Sequence, residues 1–112
     1  MAGPVSVLNG GIVATLIDCH GICTAIANGY LAEDREIGSE PVVWCATASL
    51  EVRYAAPTPL GSPVSVTATI ERVDDRKIWV ACAIRAEGRE RARGRVLAVR
   101  VAPEWLVDGP PM

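Results

Sequence analysis

Leu8-Asn9-Gly10-Gly11-Ile12-Val13-Ala14-Thr15-Leu16-Ile17-Asp18-Cys19-His20-Gly21-Ile22-Cys23-Thr24-Ala25-Ile26-Ala27 is the stretch that decides the fold. It reads as one long helix, predicted from about Gly11 to about Ala32, and it is too apolar to lie on a protein surface. Asn9 suits the N-cap, because its side-chain oxygen can accept from the open amides of the first turn. Gly10 and Gly11 leave those amides uncovered at the positive end of the helix dipole. One carboxylate, Asp18, sits about two and a half turns in, within an otherwise unionised segment. At 100° per residue its face also carries Gly11, Ala14, Thr15, Gly21, Ile22 and Ala25. The opposite face carries Val13, Leu16, Cys23 and Ala27, flanked by Ile12, Thr24 and Ile26. The second face is therefore predicted to pack, leaving the first as an open strip of small residues around an acid. A lone aspartate in such a place either pairs with something or does chemistry.

Past Glu33-Asp34-Arg35-Glu36, a solvated helix end, Gly38 and Pro41 break the chain and the period changes to two. Val42, Trp44, Ala46, Ala48, Leu50, Val52 and Tyr54 alternate with Val43, Cys45, Thr47, Ser49, Glu51 and Arg53, a long half-buried strand that ends at Pro57. Thr58 to Pro63 is a turn. Val64 to Glu71 alternates again, Asp74-Asp75-Arg76-Lys77 closes a hairpin into Ile78 to Ile84, and Glu87-Gly88-Arg89-Glu90 closes another into Arg91 to Ala102. Four strands in a row predict an antiparallel meander, with a fifth short strand possible over Ser6 to Leu8. The tail beyond Pro103 docks through Trp105. The fold class is α+β: a central helix wrapped by an antiparallel sheet of four to five strands, in a single domain spanning residues 1–112. Bare strand edges and an open helix face predict a homodimer or larger assembly.

Composition narrows the function. The 112 residues are half hydrophobic with no Phe, so Val, Ala and Ile fill one modest core. A formal charge of −2 and the lack of a basic-aromatic module argue against nucleic acid. No run approaches the length of a membrane span, and Met1-Ala2-Gly3-Pro4 leads straight into the domain, so a cytoplasmic protein is expected. Cys19, Cys23, Cys45 and Cys82 lack metal-site spacing and read as buried free thiols, and a site from Cys19, His20 and Cys23 would need side chains on diverging directions to converge. No metal or cofactor is implied. One histidine, far from any nucleophile elbow, leaves no Ser-His-Asp or Cys-His arrangement.

The Asn9-Gly10-Gly11 start, Leu16 and Asp18 resemble, in register, the His-Gly-Gly and Leu-x-Asp signature of hotdog-fold acyl-CoA thioesterases, particularly the phenylacetate-pathway and 4-hydroxybenzoyl-CoA type. Thr47-Ala48-Ser49-Leu50-Glu51-Val52-Arg53-Tyr54-Ala55-Ala56-Pro57 followed by Leu60-Gly61 matches the same family's second-strand pattern, so the resemblance covers residues 8–102. It implies a thioester hydrolase acting on an acyl-CoA, with Asp18 as the carboxylate that activates water or attacks the thioester carbonyl. It also implies the Gly11 amide as oxyanion donor, Gly10 beside it, and Asn9 where the family has histidine. Thr47 matches a hydroxyl that in some relatives helps hold the water. By strict alternation it lies away from its own helix, so it meets either a partner's Asp18 or solvent.

Relatives usually carry more chain before the signature than the eight residues here. That shortfall and the missing histidine keep a non-catalytic acyl-CoA-binding module as the alternative. A hydratase is the weaker one, because His20 points away from Asp18. The stripe Arg89, Arg91, Arg93 and Arg95 is either a solvated edge or, through Arg89 and Arg91, a contact for the phosphates of coenzyme A.

Overall fold

The computed structural model describes residues 7–105. Helix α1 (Gly10–Ala32) is followed by strands β1 (Cys45–Tyr54), β2 (Val64–Asp74), β3 (Lys77–Ala86) and β4 (Arg89–Arg100). The strands form one antiparallel sheet in the order β1-β4-β3-β2. The two predicted hairpins are present, and Glu87 and Gly88 both take positive φ in the second, as the favoured hairpin turns require.

The expected four-strand meander needs one correction. β1 pairs with β4, not with β2, so β1 and β2 lie at opposite edges. The intervening residues 55–63 contain Pro57, Pro59 and Pro63, which cannot make a tight hairpin or donate to a ladder, and they carry the chain from one edge to the other. The chain entry ties this crossing down: the Leu8 amide donates to the Thr58 carbonyl at 2.8 Å, and Val7 bridges Pro59. That bridge stands where a fifth strand was possible; Ser6 itself, like Leu106 and Pro110-Pro111 of the tail, lies outside the described residues.

Helix α1 touches all four strands. Its buried residues are Val13, Ile17, Gly21, Ala25 and Tyr30, whereas Ile12, Cys19 and Cys23 are exposed. The packed stripe is thus not the predicted Val13-Leu16-Cys23-Ala27 face: it borrows Gly21 and Ala25 from the side expected to stay open. Close approach is the reason. A Cβ on Gly21 would come within 2.7 Å of Val96 Cγ2, and one on Gly94 within 2.8 Å of Ile17 Cγ2, so small residues let helix and sheet meet. Inward-facing Ile78, Val80, Cys82 and Ile84 of β3, with Ala92, Val96 and Ala98 of β4, complete the core. By length and composition alone α1 is long and apolar enough to cross a membrane, contrary to the expectation from the sequence. Here one side of it is the core of a wrapped sheet.

The helix runs unbroken through Asn28 and Gly29, where Gly29 sits directly against Val43 and the Tyr30 hydroxyl accepts from the Val43 amide at 2.9 Å. Nor is the helix end simply solvated. Glu33 pairs with Arg35 at 2.8 Å and with Arg100 of β4 at 2.6 Å, and those two guanidiniums hold its carboxyl down at about 2. Arg35 in turn stacks over the Tyr30 ring and donates to the carbonyls of Ser39 and Pro41. Trp105 docks under Arg76, its ring 6.0 Å from the guanidinium carbon.

Candidate active site

Strand β1 builds the site, through an irregularity in its pairing. Opposite β4, Thr47 matches Ala98 and Ser49 matches Leu97, so Ala48 is an extra, unpaired residue, a β-bulge. Side chains alternate along a strand, and one extra residue reverses which parity faces inward. Before the bulge the odd positions face the helix: Val43 and Cys45 are buried and Trp44 is 49% exposed, the reverse of strict alternation. After it the even positions do, with Val52 against the core.

Thr47 therefore faces its own helix, and its Oγ1 donates to Asp18 Oδ1 at 2.7 Å. This replaces both expectations for Thr47, a partner's Asp18 or plain strand surface. Asp18 stands at the margin of the packed stripe, half-buried, instead of at the centre of an open face. The far end of β1 contributes too: the Tyr54 hydroxyl donates to the Gly10 carbonyl at 2.6 Å. β1 thus runs antiparallel to α1 and grips it at two places.

At the helix start Asn9 is the N-cap as predicted. Its Oδ1 accepts from the Ile12 amide at 2.9 Å, and its backbone carbonyl takes the Ile12 and Val13 amides. Among the described residues the Gly11 amide has no acceptor. A Cβ on Gly11 would meet nothing nearer than Asn9 Oδ1 at 3.4 Å, so the approach is clear. A cleft of about 350 Å³, lined by Leu8, Gly10, Val13, Tyr54 and residues 55–58, opens beside this turn.

The arginines do not form one row. Arg91 falls in a second irregularity, where Ala92 pairs with Ile84 but Glu90 pairs with Arg85. Its largely covered guanidinium donates to the carbonyls of Ala86 and Pro57 and to Glu87, so its fork is spent inside the protomer. Arg93 binds Glu90, and Arg95 reaches across β3 to Glu71 with two bonds, at 2.7 and 3.3 Å. Arg89 is exposed and has no ion pair among the described residues. A second cleft, about 320 Å³, lies on the outer sheet face over Ala81 and Ala83 between Arg93, Arg95 and Glu71. It is on the opposite side of the sheet from Asp18. Cys19 and Cys23 are exposed rather than buried, while burial pushes the Cys45 and Cys82 thiols up. His20 is exposed on the helix. No three His, Cys, Asp or Glu side chains among the described residues group as a metal site.

The sequence profile of the family described as fluoroacetyl-CoA-specific thioesterase matches residues 22–103. The chain belongs to this thioesterase family. Acyl-coenzyme A thioesterase THEM4 of Xenopus laevis is 30% identical over 89 residues, which are 77% of this chain and 33% of that protein. The chain thus spans about a third of the length of that relative. A thioesterase superfamily protein from Shewanella loihica is 34% identical with a TM-score of 0.66, the match covering 87% of this chain and 71% of the other. A protein from Bacillus halodurans solved with CoA is 21% identical with a TM-score of 0.68, over 88% of this chain and 62% of the other, and supports the hotdog fold alone. What these matches share is the hotdog thioesterase level, not the phenylacetate-pathway type. The family profile begins at residue 22, beyond Gly11 and Asp18, so the site rests on geometry.

Proposed function

We propose that the chain hydrolyses an acyl-CoA thioester, with Asp18 activating water and the Gly11 amide binding the oxyanion. The observation that carries this reading is the pairing of Asp18 with Thr47 on a helix whose Gly11 amide is open. Thr47 occupies a lone pair of Oδ1 and turns the carboxylate, leaving Oδ2 to take a proton from water. The water oxygen attacks the thioester carbon, and the carbonyl oxygen becomes an oxyanion. An uncovered N–H at a helix N-terminus is suited to stabilise that charge. The CoA sulfur leaves as the thiolate and takes up a proton. Asn9, with Oδ1 committed to capping, keeps its Nδ2 amide free to donate where the family's histidine stands.

Gly11 and Asp18 are seven residues apart, so along one helix their backbones are separated by about 10 Å. A carbonyl held at one amide and a water held by the acid on the same helix are therefore poorly matched, which favours a homo-oligomer that sets Gly11 of one copy against Asp18 of another. The unpaired edge of β1 and the exposed Ile12, Cys19 and Cys23 supply surface for such a contact. Four free thiols suit a reducing cytoplasm.

A panel of acyl-CoAs, followed by loss of thioester absorbance so that protein thiols do not interfere, tests the reading. Asp18→Asn keeps an acceptor for Thr47 but removes the base, and kcat should fall about 100-fold or more with the melting temperature held. Undiminished turnover in that variant refutes the role of Asp18; no turnover of any acyl-CoA by the parent protein refutes the hydrolase and leaves the binding module.

A further inference from the structure

Tyr54 carries a hydrogen bond that the mechanism above does not use. Its hydroxyl lies 2.6 Å from the Gly10 carbonyl oxygen, and that carbonyl belongs to the same planar peptide unit as the Gly11 N–H. We infer that Tyr54 is a positioning residue for the oxyanion donor: by holding the Gly10 oxygen it fixes the direction of the Gly11 N–H and makes it a stronger donor. This inference rests on the proposed role of Gly11.

The physical argument has three steps. A peptide group is rigid, so fixing its oxygen fixes its N–H on the opposite side. A hydrogen bond received at the oxygen draws charge through the amide resonance and leaves the hydrogen more positive, the cooperative strengthening seen in chains of such bonds. Helical pairing to residue 14 uses one lone pair of the Gly10 oxygen, which leaves the second for a hydroxyl.

The surroundings fit this use. A Cβ at residue 10 would lie 3.3 Å from both the ring Cζ and the hydroxyl oxygen, so glycine is what lets the phenol come down on this peptide. Tyr54 reaches it because the Ala48 bulge turns the even positions of β1 inward. The next peptide offers an internal comparison. The Thr15 hydroxyl donates to the Gly11 carbonyl at 2.9 Å, but the N–H of that unit belongs to Ile12 and is already taken by Asn9. Two hydroxyls thus act on adjacent peptides, and only one of those peptides carries an open N–H.

Tyr54→Phe keeps the ring and deletes the bond; Thr15→Val deletes the neighbouring one. Removing an oxyanion donor outright costs about 10²- to 10³-fold in turnover, and weakening one costs a fraction of that. Tyr54→Phe should lower kcat about five- to tenfold with KM and melting temperature unchanged, while Thr15→Val keeps kcat within about twofold. The Gly11 amide proton should move upfield in Tyr54→Phe, with those of Ile22 and Ala25 unmoved. That spectroscopic signature needs no turnover, so it tests Tyr54 even if the parent protein hydrolyses nothing. Unchanged kcat in a folded Tyr54→Phe, an equal loss in Thr15→Val, or an unmoved Gly11 resonance overturns the inference.

Discussion

Gly94 is the place where the sheet, the helix and β1 come closest, and replacing it by alanine tests the packing that holds the site. An added Cβ would lie 2.7 Å from the Glu51 carbonyl oxygen on β1 and 2.8 Å from Ile17 Cγ2 on the helix. The first atom is backbone in a paired strand, and the second belongs to a side chain with no exposed surface. Neither can step aside alone. Overpacking of this kind costs about 1–3 kcal/mol, here toward the upper end, offset by up to about 1 kcal/mol from the lost flexibility of glycine in the unfolded chain. A net loss of about 2 kcal/mol results. For 112 residues the unfolding entropy is about 0.24 kcal/mol per kelvin, so the melting temperature should fall by about 8 °C. Gly21→Ala makes a similar 2.7 Å contact, with the equally buried Val96 side chain but with no backbone atom, and alanine gains about 1 kcal/mol of helix propensity. Its fall should stay within about 4 °C. Thermal melts read by circular dichroism at one fixed protein concentration compare the two. A Gly94→Ala protein melting within about 2 °C of its parent, or above Gly21→Ala, would refute the claim that β1 is pinned against the core at this glycine.

Other consequences can be checked directly. Thr47→Val should reduce kcat about tenfold at unchanged KM, with Thr47→Ser restoring most of it, and equal losses in both variants would show that the hydroxyl is not what matters. Glu33→Gln probes the latch between helix and β4. Its carboxyl is ionised in the folded protein down to about 2, below the ordinary 4.5, so the latch contributes fully above 4.5 and is lost as the pH falls toward 2. The melting-temperature gap between parent and Glu33→Gln should therefore close over that acid range; a gap that widens on acidification contradicts the pairing. Cys45 and Cys82, buried and raised in pKa, should resist thiol reagents at neutral pH until the protein is unfolded. Modification of more than Cys19 and Cys23 in the native state would contradict that burial.

The helix, its cap and the two hairpins were legible because each has a local cause: Asn9 before two glycines, alternation over residues 64–71 and 78–84, and Glu87-Gly88 at a turn. The packed side of the helix was not. Ile12, Leu16, Ile17, Ile22 and Ile26 encircle α1, so hydrophobicity has no phase along it and only residue size does. The strip of small residues was expected to stay open, yet Gly21 packs against Val96 and Ala25 is fully buried. Pairing of β1 with β4 was hidden for a different reason, since a proline-rich connection announces that a hairpin is absent without saying where the chain goes. Of the candidate site, the Asn9 cap was legible from the residues themselves, while Asp18 and the Gly11 amide were singled out together with the family resemblance. The directions of Thr47 and Arg91 were not legible, because each lies at an irregularity in pairing.

The Ala48 bulge has a reason that parity makes plain. Thr47 and Tyr54 are seven positions apart, an odd number, and in an unbroken strand such residues point to opposite faces. No regular β1 could bring the Thr47 hydroxyl to Asp18 and the Tyr54 hydroxyl to Gly10 together, yet both bonds are made, at 2.7 and 2.6 Å. One extra residue between them reverses the alternation once and turns both ends inward. Strict alternation was thus bound to fail in this strand, since the contacts on Asp18 and on the Gly10 carbonyl require a strand that breaks its own period. Local propensity gives no warning, because Ala46-Thr47-Ala48-Ser49 is small throughout and suits either face. The pairing partner is the only feature that locates the bulge, and β4 becomes that partner only through the long crossing to the other edge.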